Sequence, residues 1–272
     1  MNTKYMNIFQ VDAFTDNPFK GNPAGVCLID RERPVSWMQG IAAEMNLSET
    51  AFLLKERANS AFQLRWFTPT TEVSLCGHAT LASAHILWEE SILKTEEQAL
   101  FHTKSGILKA TKHADWIEMV FPSRKVEQVD TDPKLSKALG INPKYTGKYV
   151  TQTGNLYLVE VESDQEVYEL QPNFRLLSET DARAIIVTSI ATAKDYDFVS
   201  RFFAPAVGID EDPVTGSAHC YLTPFWAEKM RKNELTGFQA SRRTGVIRCR
   251  LSQDKVLLCG KAITVFRGEL LV

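Results

Sequence analysis

The chain has 272 residues and a formal net charge of -2. At about 150 residues per domain this length predicts two domains, although one large α/β domain would also fit it. The near-neutral charge gives no electrostatic basis for binding nucleic acid or an anionic membrane, and no apolar run is long enough to span a bilayer. We therefore expect a globular protein with neither a nucleic-acid nor a membrane partner.

The N-terminus and the cysteines indicate the compartment. The opening stretch MNTKYMNIFQVDAF lacks the basic region, apolar block and cleavage site of a secretion signal. Five cysteines are scattered without a CxxC pair, at positions 27, 76, 220, 249 and 259. This pattern is typical of reduced thiols, so we expect a cytoplasmic protein.

In chain order, the first unusual element is NLSETAFLL, residues 46–54. Its apolar residues predict a buried β-strand that holds a single carboxylate, Glu49, in its middle. Burial of an unpaired charge is costly and raises the pKa of a carboxyl group, and a raised pKa suits a residue that takes a proton and returns it. The alternatives, a carboxylate that reaches solvent at an edge or an ion pair with Arg65 or Arg201, fit the sequence equally well.

The next unusual element is a helix that begins at Gly77, in CGHATLASAHILW. It is apolar on nearly every face, which predicts a buried central helix wrapped by a strongly curved sheet. The free N–H groups at Gly77 favour an anion such as a substrate carboxylate, and they would lower the pKa of His78. A packed histidine that is satisfied by the backbone is the alternative.

Cys76 stands directly before this helix. A thiol at a helix start can ionise at a lowered pKa, whereas an inert core cysteine is the simpler interpretation. No metal site is predicted, because His78 and His85 share a helix face without a third ligand at metal-like spacing.

A second helix start lies in DEDPVTGSAH, residues 210–219. We expect Asp212 to be the N-cap and Pro213 the first helical residue. Thr215, Gly216 and Ser217 then offer N–H groups and a hydroxyl group to an anion.

The chain also resembles itself, because three short stretches recur in the same order. The pairs are RWFTP from Arg65 and RFFAP from Arg201, GNPAGVCLI from Gly21 and GNLYLVEV from Gly154, and SGILKAT from Ser105 and TGVIRCR from Thr244. Each separation is close to half of the chain. We therefore predict two similar halves, residues 1–121 and 122–272, with the place of the last ten residues left open. An approximate two-fold axis would bring both helix starts to one cleft between the halves.

These motifs resemble those of a known family. VDAFTDNPFKGNPAGVCL, MNLSETAFL, RWFTPTTEVSLCGHATLASAHIL and GIDEDPVTGSAH together resemble the PhzF-like, or phenazine-biosynthesis-like, isomerases. The resemblance implies the diaminopimelate-epimerase fold, an α+β (mixed α/β) architecture. Its two pseudo-symmetric halves are each a curved, barrel-like mixed sheet wrapped around a central helix.

The resemblance also implies a function. It points to an isomerase that moves a proton on a small molecule without a metal or an organic cofactor, and to a homodimer. The acid/base residue of the family matches Glu49, and three further site residues match His78, Asp212 and Ser217. Gly77 and Gly216, with Cys76 and Thr215 before them, are the expected substrate-binding positions.

One departure leaves three hypotheses open. The related epimerases use two cysteines, but the position before Gly216 is Thr215, which carries no thiol. An isomerase that uses Glu49 needs only one proton-transfer group. A racemase or epimerase that uses Cys76, or a metabolite-binding protein without catalysis, are the alternatives.

Overall fold

A computed structural model of the chain describes residues 6–56, 60–151 and 153–271. The chain divides into two compact units: unit 1 contains Met1–Val120 and Cys259–Val272, and unit 2 contains Phe121–Leu258. Within the described residues, no helix is both long and apolar enough to cross a membrane.

The secondary structure is mixed. The strands are β1 (Met6–Ala13), β2 (Asn22–Ile29), β3 (Glu49–Lys55), β4 (Phe62–Phe67), β5 (Glu72–Val73), β6 (Ala99–Thr103), β7 (Gly106–His113), β8 (Trp116–Pro122), β9 (Glu127–Gln128), β10 (Tyr145–Thr151), β11 (Gly154–Glu160), β12 (Ala182–Ile190), β13 (Phe198–Ala204), β14 (Ile209–Asp212), β15 (Glu234–Gln239), β16 (Gly245–Ser252), β17 (Lys255–Gly260) and β18 (Ala262–Leu270). The helices are α1 (Val35–Met45), α2 (Gly77–Glu89), α3 (Pro133–Leu139), α4 (Asp164–Glu169), α5 (Phe174–Ser178) and α6 (Gly216–Met230), with a 3₁₀ turn at Pro205–Val207.

The strand pairing repeats. In unit 1, β1 pairs antiparallel with β2, β2 parallel with β3, β3 antiparallel with β4, and β4 antiparallel with β5 and parallel with β6. In unit 2, β10 pairs antiparallel with β11, β11 parallel with β12, β12 antiparallel with β13, and β13 antiparallel with β14 and parallel with β15. The duplication predicted from three short sequence pairs is therefore present in the order and direction of the strands.

The C-terminal strand answers the point that the sequence left open. β18 pairs antiparallel with β1 along its whole length, from Met6 opposite Leu270 to Ala13 opposite Ala262. The last residues therefore add a strand to the sheet of unit 1.

Each sheet packs against a central helix. In unit 1, α2 packs on β1, β2, β3 and β18, and its residues from His78 to Trp88 are buried except His85. A helix that is buried on every side has no polar face to present to water, as its apolar sequence predicted. In unit 2, α6 packs on β15 and β16.

Further helices cover other apolar residues of the sheets. In unit 1 the buried core that includes α1 contains Ile8, Cys27, Met38, Ile41, Ala42, Phe52 and Phe67. In unit 2 a larger core packs residues of α3, α4 and α5 with the strands, including Leu135, Val167, Leu177, Ile185 and Phe203. Each sheet is thus a layer whose strands contribute side chains to more than one packed interface.

The start of β3 corrects one expectation. Helix α1 ends at Met45, and Asn46 adopts a left-handed conformation with φ 49° that closes the helix. Asn is one of the few residues that takes this conformation at low cost. The strand therefore begins at Glu49, and this carboxylate lies at the first position of the strand and not in its middle.

The turn that leads into β2 requires glycine at position 21. Its φ is +65°, and a Cβ atom there would lie 2.2 Å from the carbonyl oxygen of Ala13. Gly140 has a similar φ of +70° but no atom within 4 Å of such a Cβ. We predict that Gly21→Ala lowers the free energy of unfolding by roughly 1–3 kcal/mol more than Gly140→Ala, because only the first adds a steric clash with backbone. Urea unfolding of both variants measures this, and equal losses would contradict it.

Candidate active site

Three elements of unit 1 converge on one site because of strand alternation. Ala24 of β2 lies beside Glu49 of β3 in parallel register, so their side chains leave the sheet on the same face. Asn22, two residues before Ala24, shares that face. Phe52 is three residues after Glu49 and points the other way, into the core that includes α1. Asn22 and Glu49 therefore face helix α2.

His78 is the centre of the site. Its Nε2 atom lies 3.1 Å from Oε2 of Glu49, and its Nδ1 atom lies 3.3 Å from Nδ2 of Asn22. The Sγ atom of Cys76 is 3.5 Å from Nδ1 and 4.0 Å from Nε2. The side chains of His78 and Glu49 are only 7% and 14% exposed, so the pair interacts with little screening by water.

The carboxyl group of Glu49 is acidic in this setting. Burial raises its pKa, but the charge of His78 and hydrogen bonds from His78 and Cys76 outweigh burial, so the pKa lies below its usual value. The expectation of a raised pKa is therefore wrong. The sequence showed the apolar neighbours of Glu49 but not the cation that faces it.

The expected lowering of the pKa of His78 is also wrong. Burial lowers this pKa, but the negative charge that Cys76 carries when ionised, the carboxylate of Glu49 and hydrogen bonds with both residues raise it, and the result lies well above the usual value. A helix N-terminus carries only about half a charge, whereas Glu49 brings a full charge within hydrogen-bond distance. The carboxylate of Glu49 therefore favours the imidazolium form of His78.

Cys76 does not provide a resting thiolate. Burial, followed by the negative charge of Glu49, raises the pKa of its thiol to about 11. The raised pKa agrees with the simpler interpretation of an inert core cysteine, and it weakens the hypothesis that Cys76 is an acid/base residue.

The alternative ion pairs for Glu49 are occupied by other carboxylates. Arg65 donates two hydrogen bonds to Glu72, both of 2.8 Å, and Arg201 pairs in the same way with Glu211. These two pairs occupy matching places in β4 and β13, so they belong to the repeated scaffold.

Sequence reasoning missed Asn22. The signal was available, because Asn22 follows the Gly that opens the repeated stretch GNPAGVCLI. Asn22 is completely buried, and its amide can offer either an N–H group or an oxygen to the ring of His78. It can therefore serve both protonation states of the histidine.

The second helix start lies in unit 2. Helix α6 begins at Gly216, and Thr215 is its N-cap, so the expectation that Asp212 is the N-cap and Pro213 the first helical residue is wrong. Asp212 instead ends β14, and its Oδ2 accepts a 2.5 Å hydrogen bond from the hydroxyl group of Thr215. Ser217 is exposed in the first turn of the helix.

Gln239, which sequence reasoning did not single out, holds this loop. Its Oε1 accepts the N–H of Thr215 at 2.8 Å, and its Nε2 donates to the carbonyl oxygen of Asp212 at 2.8 Å. Both ends of the loop that precedes α6 are thus tied to one buried side chain. No local pattern marks this residue, because the contact spans 24 residues or more.

Glu49, Cys76 and His78 are also a set of donors that could hold a metal ion. One donor atom from each lies within 4.8 Å of the others. The sequence considered only His78 with His85. In the structure His85 lies 3.6 Å from Glu89 and 3.1 Å from Thr264. The third ligand was missed because Glu49 is far from the helix in the sequence.

Comparison with known proteins now places the chain. Residues 11–268 match the family described as "Phenazine biosynthesis-like protein". An uncharacterized isomerase from Halalkalibacterium halodurans is 54% identical over 97% of this chain and 98% of that relative. The chain belongs to the phenazine biosynthesis-like protein family, and its class is that of an isomerase.

Solved structures agree with this assignment. A PhzF-family phenazine biosynthesis protein from Enterococcus faecalis has a TM-score of 0.92 and 36% identity over 98% of this chain and 99% of that chain. A probable proline racemase from Agrobacterium radiobacter has a TM-score of 0.65 at 10% identity over 97% of this chain and 92% of that chain, which shows the fold alone. The fold class predicted from the motifs is confirmed.

Proposed function

We propose that the protein moves a proton between two carbon atoms of a small carboxylate-bearing metabolite, with Glu49 as general base and then general acid. The observation that carries this proposal is the buried pair of Glu49 and His78, 3.1 Å apart. Because the pKa of Glu49 is lowered, its carboxylate is ionised at neutral pH and ready to accept a proton.

The ion pair suits this reaction through its charge balance. When Glu49 takes a proton from carbon, it becomes neutral and the substrate gains one further negative charge. The imidazolium of His78 then faces the new negative charge on the substrate instead of that on Glu49. In the ground state this positive charge is neutralised by Glu49. In the transition state Glu49 loses its charge, so the imidazolium stabilises the negative charge on the substrate more strongly than before.

The base need not have a raised pKa in the free enzyme. A carboxylate paired with His78 is a weak base, but a bound anionic substrate also interacts with His78 and weakens its hold on Glu49. Protonation of Glu49 then becomes easier at the moment of reaction. Glu49 returns the proton to a different carbon, which completes an isomerisation without a cofactor.

Two more of the predicted residues have supporting roles in this proposal. In unit 1, the N–H groups at Gly77 bind the carboxylate of the substrate, in the manner of a helix N-terminus, and Cys76 shapes this helix start.

Solvent-deuterium exchange followed by NMR tests the proposal. The protein is incubated in D₂O with a panel of small cyclic and amino-acid carboxylates. We expect deuterium to enter a C–H position of at least one compound. Exchange that also persists after Glu49→Gln would assign the proton transfer to another group, such as Cys76.

A further inference from the structure

The donor set around His78 also has the composition of a metal site. We propose that Glu49, Cys76 and His78 bind Zn²⁺ or a similar thiophilic divalent cation, and that this ion inhibits the enzyme by occupying its base. The inhibitory part rests on the proposed function of Glu49, whereas the binding part stands on geometry alone.

The donor atoms lie close enough for one ion to reach all three after a rearrangement. Nε2 of His78 lies 3.1 Å from Oε2 of Glu49 and 4.0 Å from Sγ of Cys76, and all three residues offer donors within 4.8 Å of one another. Sγ is nearer to Nδ1, at 3.5 Å, so it does not lie on the outer side of Nε2, where the lone pair of that nitrogen points. Binding therefore requires rotation of the Cys76 side chain or of the imidazole ring, which brings the donors toward the bond lengths of about 2.3 Å for Zn–S and 2.0–2.2 Å for Zn–N and Zn–O.

The donor types select the metal. One thiolate, one imidazole and one carboxylate suit Zn²⁺, while Mg²⁺ and Ca²⁺ prefer oxygen ligands only. The N–H of Ala79 also faces the sulfur of Cys76, and it would support a metal-bound thiolate as an outer hydrogen bond. Three protein ligands leave a fourth position for water or an anion.

The charges balance when the ion binds. Three bonds form, from the metal to sulfur, nitrogen and oxygen. One proton leaves the thiol of Cys76 and one leaves the imidazolium of His78, as expected when thiol and histidine ligands bind a metal. The two positive charges that leave are replaced by the two on the ion, so the buried site stays neutral. Glu49 can then no longer accept a proton from carbon.

Cobalt spectroscopy tests the binding part without a substrate. The full-length, reduced and EDTA-treated protein is titrated with Co²⁺. We expect a thiolate-to-cobalt charge-transfer band in the near ultraviolet and the visible bands of four-coordinate Co²⁺, both complete at one equivalent and removed by Zn²⁺. Absence of these bands at one equivalent would overturn the proposed site.

Two cysteine variants locate the site. Cys76→Ser should lose the charge-transfer band. Cys259→Ser is the matched control, because Cys259 is a partly exposed thiol 3.7 Å from the carboxylate of Glu118, and it should keep the band. The opposite pattern would overturn the proposal. If circular dichroism shows that Cys76→Ser is unfolded, His78→Gln replaces it, and a full-strength band in that variant counts against the site.

Inhibition is measured separately. Zn²⁺ should suppress the deuterium exchange of the wild-type protein, and EDTA should restore it. Exchange that continues with one equivalent of bound Zn²⁺ would refute the inhibitory role. The cobalt spectra do not depend on turnover, so they fail only if the metal site is wrong, whereas loss of the proposed function shows as exchange that is insensitive to Glu49→Gln.

Discussion

Glu49→Gln is expected to lower the rate of proton exchange by about 10²–10⁴-fold, the usual contribution of a general acid/base residue. The amide oxygen of glutamine can still accept a hydrogen bond from Nε2 of His78, so the side chain keeps its place. It cannot take a proton from carbon at neutral pH. The measurement is the exchange rate in D₂O of whichever carboxylate the wild-type protein labels, with binding of the same compound followed by NMR shifts.

The chain offers a matched control for this variant. Glu56 lies just after β3 and pairs with His102, with Oε1 2.8 Å from Nδ1. Glu56→Gln therefore removes a carboxylate from another Glu–His pair of the same unit. We expect its exchange rate to match that of the wild type. A similar loss in both variants would mean that the effect reflects damage to unit 1 and not loss of a base.

The site also shows which features of the structure can be predicted from the amino-acid sequence. The two helices that begin at Gly77 and Gly216 and the repeated strand order follow from local patterns, namely apolar runs, Gly positions and the stretches that recur. Strand alternation even places Glu49 and Phe52 on opposite faces once the strand is known. Glu49, Cys76 and His78 were therefore within reach of sequence analysis, although their contacts were not.

The protonation states of Glu49 and His78 could not be predicted from the sequence. They depend on the 3.1 Å approach of Glu49 to His78, which joins elements that are 29 positions apart and cannot be read from either one alone. A full charge at that distance outweighs both the helix terminus at His78 and the apolar surroundings of Glu49. The same limit explains why Gln239 was missed, since it acts through partners that are distant in sequence.

His219 shows how the repeat assigns one structural task to different side chains. In α2, the hydroxyl group of Thr80 donates to the carbonyl oxygen of Cys76 at 2.5 Å. At the matching position of α6, His219 lies 2.9 Å from the carbonyl oxygen of Thr215 through Nδ1. The imidazole makes the hydrogen bond that the hydroxyl group of Thr80 makes in α2, but it also places a titratable ring in the core.

That ring is strongly biased toward its neutral form. His219 is completely buried, its Nε2 has no hydrogen-bond partner among the described residues, and its ring lies 5.8 Å from that of Phe198. Burial lowers its pKa from 6.5 to about 4, although the bond to Thr215 opposes this. A protonated ring would place a second N–H group where nothing accepts it.

The lowered pKa predicts a loss of stability in acid. Between pH 6.5 and about 4 the unfolded chain binds a proton at His219 and the folded chain does not, so the free energy of unfolding falls as the pH falls. Over that interval the effect amounts to about 3 kcal/mol from this residue alone. This loss of stability is absent well above pH 6.5, and it grows no further well below pH 4.

His219→Asn isolates this effect, because its amide nitrogen can replace Nδ1 as the donor to Thr215 but does not titrate. The smaller side chain lowers the stability at pH 7, so the quantity to compare is the slope of the unfolding free energy against pH, from urea unfolding between pH 4 and 7. We expect a shallower slope for His219→Asn than for the wild type. An unchanged slope in His219→Asn would show that the ring binds its proton in the folded state as readily as in the unfolded chain.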